Sequence, residues 1–375
     1  MNTEYFFKLT DQLGIDFYTG VPDSLLSPLC DTLFRKYGAS GRNHVVAANE
    51  GCAVGLAAGH YIATGRPALV YLQNSGIGNA ANPIISLLDR QIYQIPCLFV
   101  VGWRGEPGVP DEPQHRFQGM ITLELLTLLG IRTFVLEKGA GPEDAERIVS
   151  QCHELLQQGL CAAIAVKKGA FEPVSPASYP SQGSLRRERA LELLLESAGD
   201  SDIFVTTTGK TSRELFELRE TRKEHHNRDF LTVGSMGHAL MIALGIANAK
   251  PEKIVWCIDG DGAAMMHLGG LCTAAGLACQ NLIHVVIHNG AHESVGGMPI
   301  TGRQVSFARL AEAAGCHNVF HASGEVELRD ALVNLRTAEG MCFLEIETAL
   351  GSRKDLGRPT LLPKENLKML RKYLQ

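Results

Sequence analysis

Polar residues follow two apolar segments in an arrangement that suits the binding of a metal and an anion. Asp-Gly-Asp-Gly-Ala, residues 259–263, comes directly after the apolar run 254–258, and His-Asn-Gly-Ala, residues 288–291, comes directly after 282–287. Glycines at a strand-to-helix turn let backbone N–H groups approach an anion. Carboxylate and amide oxygens are ligands for a hard divalent cation. The pattern predicts a metal-bridged diphosphate site, although a plain strand-to-helix corner has the same glycines.

Glu50 is the candidate for an acid–base group. It follows the apolar segment Val45–Ala48 and precedes the small, apolar residues 51–59. A carboxyl group in such a poorly solvated place has a raised proton affinity, which suits proton transfer. The alternative is that Glu50 is a helix N-terminal residue that the helix macrodipole favours.

Two loops of the N-terminal half carry further candidates. Asp23 and Ser24 end the segment 19–24, Thr-Gly-Val-Pro-Asp-Ser, where either could simply cap a helix. His115 lies beside an arginine in the proline-rich segment 108–116. A histidine next to a cation suits proton transfer near an anionic substrate, but a surface position explains it equally well.

A cationic segment precedes the C-terminal helix. Arg353, Lys354 and Arg358 stand within the stretch 351–360, Gly-Ser-Arg-Lys-Asp-Leu-Gly-Arg-Pro-Thr. These side chains can donate several hydrogen bonds to a dianion. An ordinary solvated surface has the same composition.

Two nucleotide-binding patterns compete with these interpretations. Residues 76–81, Gly-Ile-Gly-Asn-Ala-Ala, fit a relaxed dinucleotide motif after a strand, but no acidic residue ends the next predicted strand. Gly209-Lys210-Thr211 suggests a P-loop, which requires glycine where this chain has Phe204. A dinucleotide oxidoreductase therefore stays open as an alternative, and a P-loop does not.

The elements that must position these residues alternate along the chain. Continuous apolar runs indicate strands buried on both faces, hence parallel sheets, with helical patterns between them. The predicted strands are 16–18, 45–48, 68–72, 97–101, 133–136, 162–166, 203–205, 254–258, 282–287 and 341–346. The predicted helices are 143–158, 185–198, 212–222 and one from Lys364. We predict an α/β protein of two doubly wound parallel-sheet domains, residues 1–170 and 185–375, joined by a Pro- and Ser-rich linker at 171–184.

Composition excludes several classes of partner. The 375 residues are 45% hydrophobic and 20% charged with a net charge of −5, and no basic cluster suits nucleic acid or an anionic membrane. No apolar run approaches the roughly 20 residues of a membrane span, and we expect a cytoplasmic location. The ten cysteines stand in apolar stretches without a C-x-x-C pair, so we expect reduced core thiols rather than zinc or disulfides.

Several of these segments resemble the thiamine-diphosphate-dependent 2-oxo acid decarboxylases of the phosphonopyruvate and sulfopyruvate type. The resemblance covers essentially the whole chain. Its specific parts are G-V-P-D-S at 20–24, N-E-G-x-A-x-x-x-A-x-G at 49–59, G-S-M-G-H-A at 234–239, G-D-G followed by the motif asparagine at 260–289, residues 292–297, and S-R-K-D-L-G-R-P at 352–359. It implies a pyrimidine domain and a diphosphate domain of the thiamine-diphosphate-binding fold.

The resemblance also implies a cofactor, a reaction and residue roles. The cofactors are thiamine diphosphate and Mg²⁺, and the small-molecule substrate is phosphonopyruvate, converted without oxidation to phosphonoacetaldehyde and CO2. Glu50 would stabilise the imino tautomer of the aminopyrimidine, and Asp23 or His115 would return a proton after CO2 leaves. The implied metal ligands are Asp261, Asn289 and the carbonyl of Ala291. The implied cofactor contacts are Glu50, Asn74, Gly76, Gly209, Ser235, Met236, Gly260, Asp261, Gly262, Ala263, Asn289 and His292. The implied substrate contacts are Asp23, Ser24, His115, Arg353, Lys354 and Arg358.

Three departures from the family pattern matter. Ile77 replaces the usual proline of the turn after Gly76, and Val295 stands where larger pyruvate decarboxylases have a glutamate, so another group must transfer the proton. The chain also lacks the middle domain of those relatives. Since the pyrimidine domain of one subunit faces the diphosphate domain of another in related enzymes, a homo-oligomer of at least two subunits is expected. Sulfopyruvate or another 2-oxo acid as substrate, an NAD-dependent oxidoreductase and a non-catalytic binding subunit are the alternatives.

Overall fold

The structure is a computed structural model that describes residues 1–177, 179 and 183–375. The chain divides into two compact units. The first comprises Met1–Tyr179 together with Ser294–Thr301, and the second comprises Pro180–Glu293 together with Gly302–Gln375. The predicted linker, 171–184, lies partly outside the described residues, and the first change of unit falls within it. The division into a pyrimidine and a diphosphate domain stays a prediction.

The first unit is a doubly wound parallel sheet. Its elements in chain order are α1 (Thr3–Asp11), β1 (Tyr18–Gly20), α2 (Ser27–Tyr37), β2 (His44–Val46), α3 (Glu50–Thr64), β3 (Ala68–Gln73), α4 (Ile77–Pro83), β4 (Cys97–Gly102), α5 (Pro113–Leu128), β5 (Arg132–Leu136), α6 (Pro142–Gln157) and β6 (Ala162–Val166). A short 3₁₀ turn, Asn74–Gly76, and a π-helical turn, Ile84–Leu88, flank α4. The strand order is β2-β1-β3-β4-β6-β5, with every pairing parallel.

The second unit repeats this architecture. The remaining elements in chain order, all but β12 in the second unit, are α7 (Arg187–Ser197), β7 (Ile203–Thr206), α8 (Lys210–Thr221), β8 (Asp229–Leu231), α9 (Ala239–Ala249), β9 (Val255–Gly260), α10 (Asp261–Met266), α11 (Gly269–Leu277), β10 (Leu282–His288), β11 (Ala291–His292), β12 (Met298–Pro299), α12 (Phe307–Ala313), β13 (Asn318–Ala322), α13 (Glu325–Thr337), β14 (Cys342–Glu347) and α14 (Pro363–Leu374). Strand β12 falls within the short segment assigned to the first unit. The sheet order is β13-β14-β10-β9-β7-β8, again parallel throughout. The prediction of two doubly wound α/β sheets is therefore confirmed.

Each sheet has a point, beside its first strand, at which the strand order reverses. In the first unit this point lies between β1 and β3, and in the second unit it lies between β7 and β9. Ligands of doubly wound sheets bind in the crevice at the carboxyl ends of the strands that flank such a point. The segments after β1, β3, β7 and β9 are therefore the expected positions of functional side chains.

The cores explain why the strands read as continuous apolar runs. Alternate residues of β3 face opposite sides of the sheet, so Leu69 and Tyr71 join one buried cluster while Val70 and Leu72 join another. Helices cover both faces, as parallel sheets require. Each fully buried large apolar side chain contributes roughly 1.5–3 kcal/mol to folding.

Two predictions about local structure are wrong. The early strand runs Tyr18–Gly20 and not 16–18, because pairing with β3 sets its register at Tyr18↔Leu69 and Gly20↔Tyr71. His115 lies in the first turn of α5 and not in a loop, because Pro113 begins that helix, where the missing N–H of proline is tolerated. Other predicted bounds differ by two residues or fewer from those of the structure.

No helix among the described residues has the length and apolarity that crossing a membrane requires.

Candidate active site

Glu50 begins α3 at the carboxyl end of β2. The Asn49 side chain caps this helix by accepting a hydrogen bond from the Cys52 N–H at 2.9 Å. The Glu50 side chain is buried, 5% exposed, and its Oε2 accepts from Asn79 Nδ2 at 2.8 Å. Burial raises the pKa of Glu50, and the Asn79 hydrogen bond only partly opposes that shift. The structure therefore gives Glu50 the high proton affinity that the sequence predicts.

Gly76 supplies the space that the Glu50 side chain occupies. A Cβ atom at residue 76 would overlap the Oε1, Cδ and Cγ atoms of Glu50. The backbone φ of Gly76 is −77°, which any residue can adopt, so the requirement for glycine is one of space. The turn after β3 and the start of α3 therefore meet at this carboxylate.

Asp23 lies at the carboxyl end of β1, beside β3 at the reversal point. Its side chain is fully buried, and it accepts hydrogen bonds from Gln73 Nε2 at 2.6 Å and from the Leu25 N–H at 3.2 Å. Burial raises the pKa of Asp23, against the opposing effects of Gln73 and the Arg104 charge. Asp23 can therefore hold a proton at a pH where an exposed aspartate could not.

Arg104 connects the candidates of the first unit, and our sequence interpretation missed it. Its guanidinium donates to both carboxylate oxygens of Asp111, at 2.6 and 2.8 Å, and to Ser24 Oγ at 3.0 Å. The Asn74 amide donates to the Arg104 carbonyl and to Thr122 Oγ1, both at 2.8 Å. Both N–H groups of the Asn74 side chain are therefore used within the protein, and its role as a cofactor contact stays a prediction. The position of Arg104 just after β4 was the signal that could have identified it.

His115 is buried, with 8% of its surface exposed. Burial and the nearby Arg104 charge lower its pKa to about 4, while Asp111 opposes the shift. The imidazole is therefore neutral near pH 7. Of the two residues predicted to return a proton, Asp23 is the one whose pKa is shifted towards the protonated form.

The Asp261 carboxylate joins the ends of β9 and β10. Its Oδ2 accepts from the Asn289 N–H at 3.0 Å and from the Gly290 N–H at 2.6 Å, and its Oδ1 accepts from the Gly262 N–H at 2.6 Å. Burial raises the pKa of Asp261 to about 6, although the neighbouring His288 charge and these N–H groups oppose the shift. The Ala291 N–H donates to Asn289 Oδ1 at 3.0 Å. The structure thus brings Asp261, Asn289 and Ala291 together, and their role as metal ligands stays a prediction.

Other predicted cofactor contacts lie at neighbouring strand ends. Gly209 follows β7 and has a φ of +100°, which strongly favours glycine. The loop after β8 is joined to this segment because the Gly234 N–H donates to Thr208 Oγ1 at 3.1 Å. In that loop Ser235, the residue before Met236, adopts a left-handed φ of +46°. His292 is buried, which lowers its pKa to about 4.

Arg353 belongs to a loop that is bound to α7 and α8. Its guanidinium contacts Glu217, lies 2.8 Å from Glu188 and lies 3.2 Å from Asp355. Three carboxylates therefore compensate its charge. Lys354 and Arg358 lie in the same loop, and both are exposed.

The cysteines differ partly from expectation. All ten are free, as predicted, but Cys52 and Cys272 are exposed rather than part of a core. Cys257, Asp259 and His284 form a buried cluster whose potential ligand atoms lie within 4.8 Å of one another. The sequence gives no signal for this cluster, because its members come from two different strands.

The donor set suits the cofactor pair implied by the resemblance. One carboxylate, one amide oxygen and one backbone carbonyl are the oxygen ligands that Mg²⁺ prefers. The buried Asp261 carboxylate also needs a compensating positive charge, which a divalent cation would supply. In the first unit, a buried carboxyl group of raised pKa suits a partner nitrogen with which it can exchange a proton. The described residues therefore fit both groups.

Comparison with known proteins agrees with this geometry. Residues 2–125 match the family model of the thiamine pyrophosphate enzyme N-terminal TPP binding domain, and residues 207–346 match the model of the C-terminal TPP binding domain. Thiamine pyrophosphate is another name for thiamine diphosphate. The fold, the site and these two matches define a thiamine-pyrophosphate-dependent enzyme.

Full-length relatives narrow the assignment. The chain is 34% identical to a phosphonopyruvate decarboxylase of Streptomyces hygroscopicus, over 96% of this chain and 91% of that protein. It is 33% identical to a phosphonopyruvate decarboxylase of Streptomyces viridochromogenes, over 96% and 92%. It is 24% identical to a sulfopyruvate decarboxylase of Methanosarcina acetivorans, over 99% and 97%. The chain therefore belongs to the phosphonopyruvate decarboxylase family of thiamine pyrophosphate enzymes.

Proposed function

We propose that this protein decarboxylates 3-phosphonopyruvate to phosphonoacetaldehyde and CO2 with thiamine diphosphate and Mg²⁺. The observation that carries the proposal is the 34% identity to a phosphonopyruvate decarboxylase over nearly the full length of both chains. The buried Glu50 and the grouped Asp261, Asn289 and Ala291 support it independently, since the chemistry requires both a carboxyl group and a cation site.

The cofactor, the acid–base group and the cation ligands would each have a separate role in the reaction. The bound cofactor supplies the electron sink that accepts the electron pair when CO2 leaves. Glu50 would exchange a proton with a ring nitrogen of the aminopyrimidine. Asp261, Asn289 and the Ala291 carbonyl would hold the cation that anchors the diphosphate.

Substrate binding is assigned to two polar regions. In the first unit, Arg104 donates a hydrogen bond to Ser24, and its charge acts on Asp23 and His115. Asp23 would return a proton to the carbon that lost CO2, because its raised pKa lets it carry one. In the second unit, the phosphonate would bind to the loop of Arg353, Lys354 and Arg358. Since Arg353 is already paired with carboxylates, the exposed Lys354 would contribute more to anion binding than Arg353.

Carbon dioxide release from phosphonopyruvate tests the proposal. We expect turnover that requires both thiamine diphosphate and Mg²⁺ and that is lost in chelator-treated protein until both are restored. Sulfopyruvate is the second candidate, favoured by the 24% identity to a sulfopyruvate decarboxylase over 99% of the chain. Steady-state kcat/KM values on both acids, and on pyruvate, separate these substrates. Binding of the cofactor without CO2 release from any of them would instead indicate a non-catalytic binding subunit, and binding of NAD would indicate an oxidoreductase.

We also propose that the chain works as a homo-oligomer of at least two subunits. Several large apolar side chains on helices of the first unit are exposed, and burying such side chains against another subunit would stabilise an oligomer. They are Leu56 and Ile62 of α3, Ile85 of the π-helical turn, and Phe117 and Met120 of α5. Light scattering coupled to size exclusion is expected to give at least twice the chain mass of 40.6 kDa. A fully active monomer at micromolar concentration would contradict this proposal.

A further inference from the structure

A carboxylate next to the motif asparagine receives an unusual number of hydrogen bonds. Glu293 Oε2 accepts from Asn289 Nδ2 at 2.8 Å and from Arg187 Nη1 at 2.7 Å. Glu293 Oε1 accepts from Lys210 Nζ at 2.8 Å. The Glu293 side chain is 10% exposed, so these partners largely replace water. The family resemblance assigned no role to this residue.

The hydrogen bond to Glu293 determines which way the Asn289 amide points. An amide has one end that donates and one that accepts, whereas an ionised carboxylate can only accept. The NH2 group of Asn289 must therefore face Glu293, and its Oδ1 must face the Ala291 side, where the Ala291 N–H lies at 3.0 Å. Oδ1 is the atom that a divalent cation requires.

Two cations hold the Glu293 carboxylate in place. Arg187 is 4% exposed and is shared with Glu214, to which it donates two hydrogen bonds at 2.6 and 2.8 Å. Lys210 follows the left-handed Gly209, so Glu293 also connects the turn after β7 with the turn after β10. Arg187 and Lys210 both donate to this carboxylate, so their positive charges compensate its negative charge. The charges of this group, two positive and two negative, balance.

We propose that Glu293 is a positioning residue, whose carboxylate orients the Asn289 amide so that its carbonyl oxygen is presented to the divalent cation. The inference rests on the proposed function, because the cation is the one that anchors the diphosphate. Residues that orient metal ligands typically change metal affinity by 10- to 100-fold when they are replaced. The same carboxylate keeps Lys210 and Arg187 from adding uncompensated positive charge near the cation.

Glu293→Gln tests the inference. Glutamine keeps the shape but offers one acceptor oxygen instead of two, so it cannot satisfy Asn289, Arg187 and Lys210 together. The Mg²⁺ concentration for half-maximal thiamine diphosphate uptake, followed by calorimetry or near-UV circular dichroism, is expected to rise by about 10- to 100-fold. Glu293→Asp, which keeps the charge, is expected to recover part of that loss. The unfolding temperature of the metal-free protein is measured alongside.

Glu325→Gln is the matched control. Glu325 also pairs with two cations of the same unit, Arg189 and Arg329, but on the exposed surface of α7 and α13. The Glu325→Gln protein should reach half-maximal thiamine diphosphate uptake at the same Mg²⁺ concentration as the wild type. A Glu293→Gln protein that folds and takes up the cofactor at wild-type Mg²⁺ concentrations would overturn the inference. So would unfolding of both Glu293 variants, which would assign the residue to folding. If the wild type itself shows no Mg²⁺-dependent uptake, the proposed function fails first.

Discussion

Glu50→Gln is expected to reduce kcat for CO2 release by about 10²- to 10⁴-fold, the range that a positioned acid–base group contributes. Glutamine has the same shape and can still accept the hydrogen bond from Asn79, but it cannot exchange a proton. The unfolding temperature is expected to stay at or above that of the wild type, because the buried carboxyl group is replaced by a neutral one. Steady-state CO2 release and thermal unfolding measure the two effects. Residual activity above a tenth of the wild type would argue against the role of Glu50.

Gly76→Ala tests the same site through geometry alone. The added Cβ would overlap the Glu50 carboxyl group and displace it, although no titratable group is removed. We expect a large fall in kcat with little change in the half-saturation concentration of Mg²⁺. Gly276→Ala is the control, because a Cβ at this helical glycine has open space around it. If both variants were fully active, Glu50 would not need the position that the structure gives it.

Asp23→Asn is expected to lower kcat by a similar factor, about 10²- to 10⁴-fold, since a buried proton donor is lost. The same substitution is expected to increase the stability of the fold while it lowers kcat. The pKa of Asp23 is raised on folding, so between the unfolded and folded values the native state binds more protons and stability falls as pH rises. Above the pKa of Asp23 in the native state, the carboxylate is ionised in both states, and the native state carries the full free-energy cost of burying that charge. Replacing Asp23 should therefore raise the unfolding temperature at neutral pH, and the gain should disappear at a pH below both pKa values.

Asp31→Asn provides the contrast for Asp23. Asp31 is also a buried carboxylate of the first unit, but it accepts hydrogen bonds from Tyr179 at 2.8 Å and from the Ala177 N–H at 3.2 Å and lies outside the site. The Asp31→Asn protein should be less stable than the wild type and should keep the wild-type kcat.

The pH profile gives a further test of Asp23. Wild-type activity should decrease as pH rises through the pKa of Asp23, and this decrease should be absent in Asp23→Asn. Equal pH profiles for the wild type and Asp23→Asn would show that Asp23 is not the proton donor.

The sequence predicted the fold and the strand ends of the site well, because both depend on local patterns. A strand covered on both faces must be continuously apolar, as Leu69–Leu72 illustrates, and the polar residues that follow such strands must meet at one edge of a parallel sheet. Asp261 and Asn289 were found in this way. The predicted ends of an element were less exact where a partner strand sets the register, as in β1.

Residues whose role depends on a distant partner were missed. Asn79 reaches Glu50, Arg104 reaches Ser24, and Arg187 reaches Glu293, each over a long stretch of the chain. Pairwise polar contacts of this kind leave no periodic pattern in the sequence. The three carboxylate partners of Arg353 were also missed, because they become visible only in the folded unit.

The amino-acid order by itself determined the two parallel sheets, the glycine turns at their strand ends and the residue types available there. The tertiary structure decided the protonation behaviour and the orientation of those residues. Burial raises the pKa values of Glu50 and Asp23 and lowers that of His115, and Glu293 fixes the Asn289 amide. The physical reason is that apolar patterning acts over neighbouring residues, whereas desolvation and hydrogen-bond direction depend on every group that packing brings within a few ångströms.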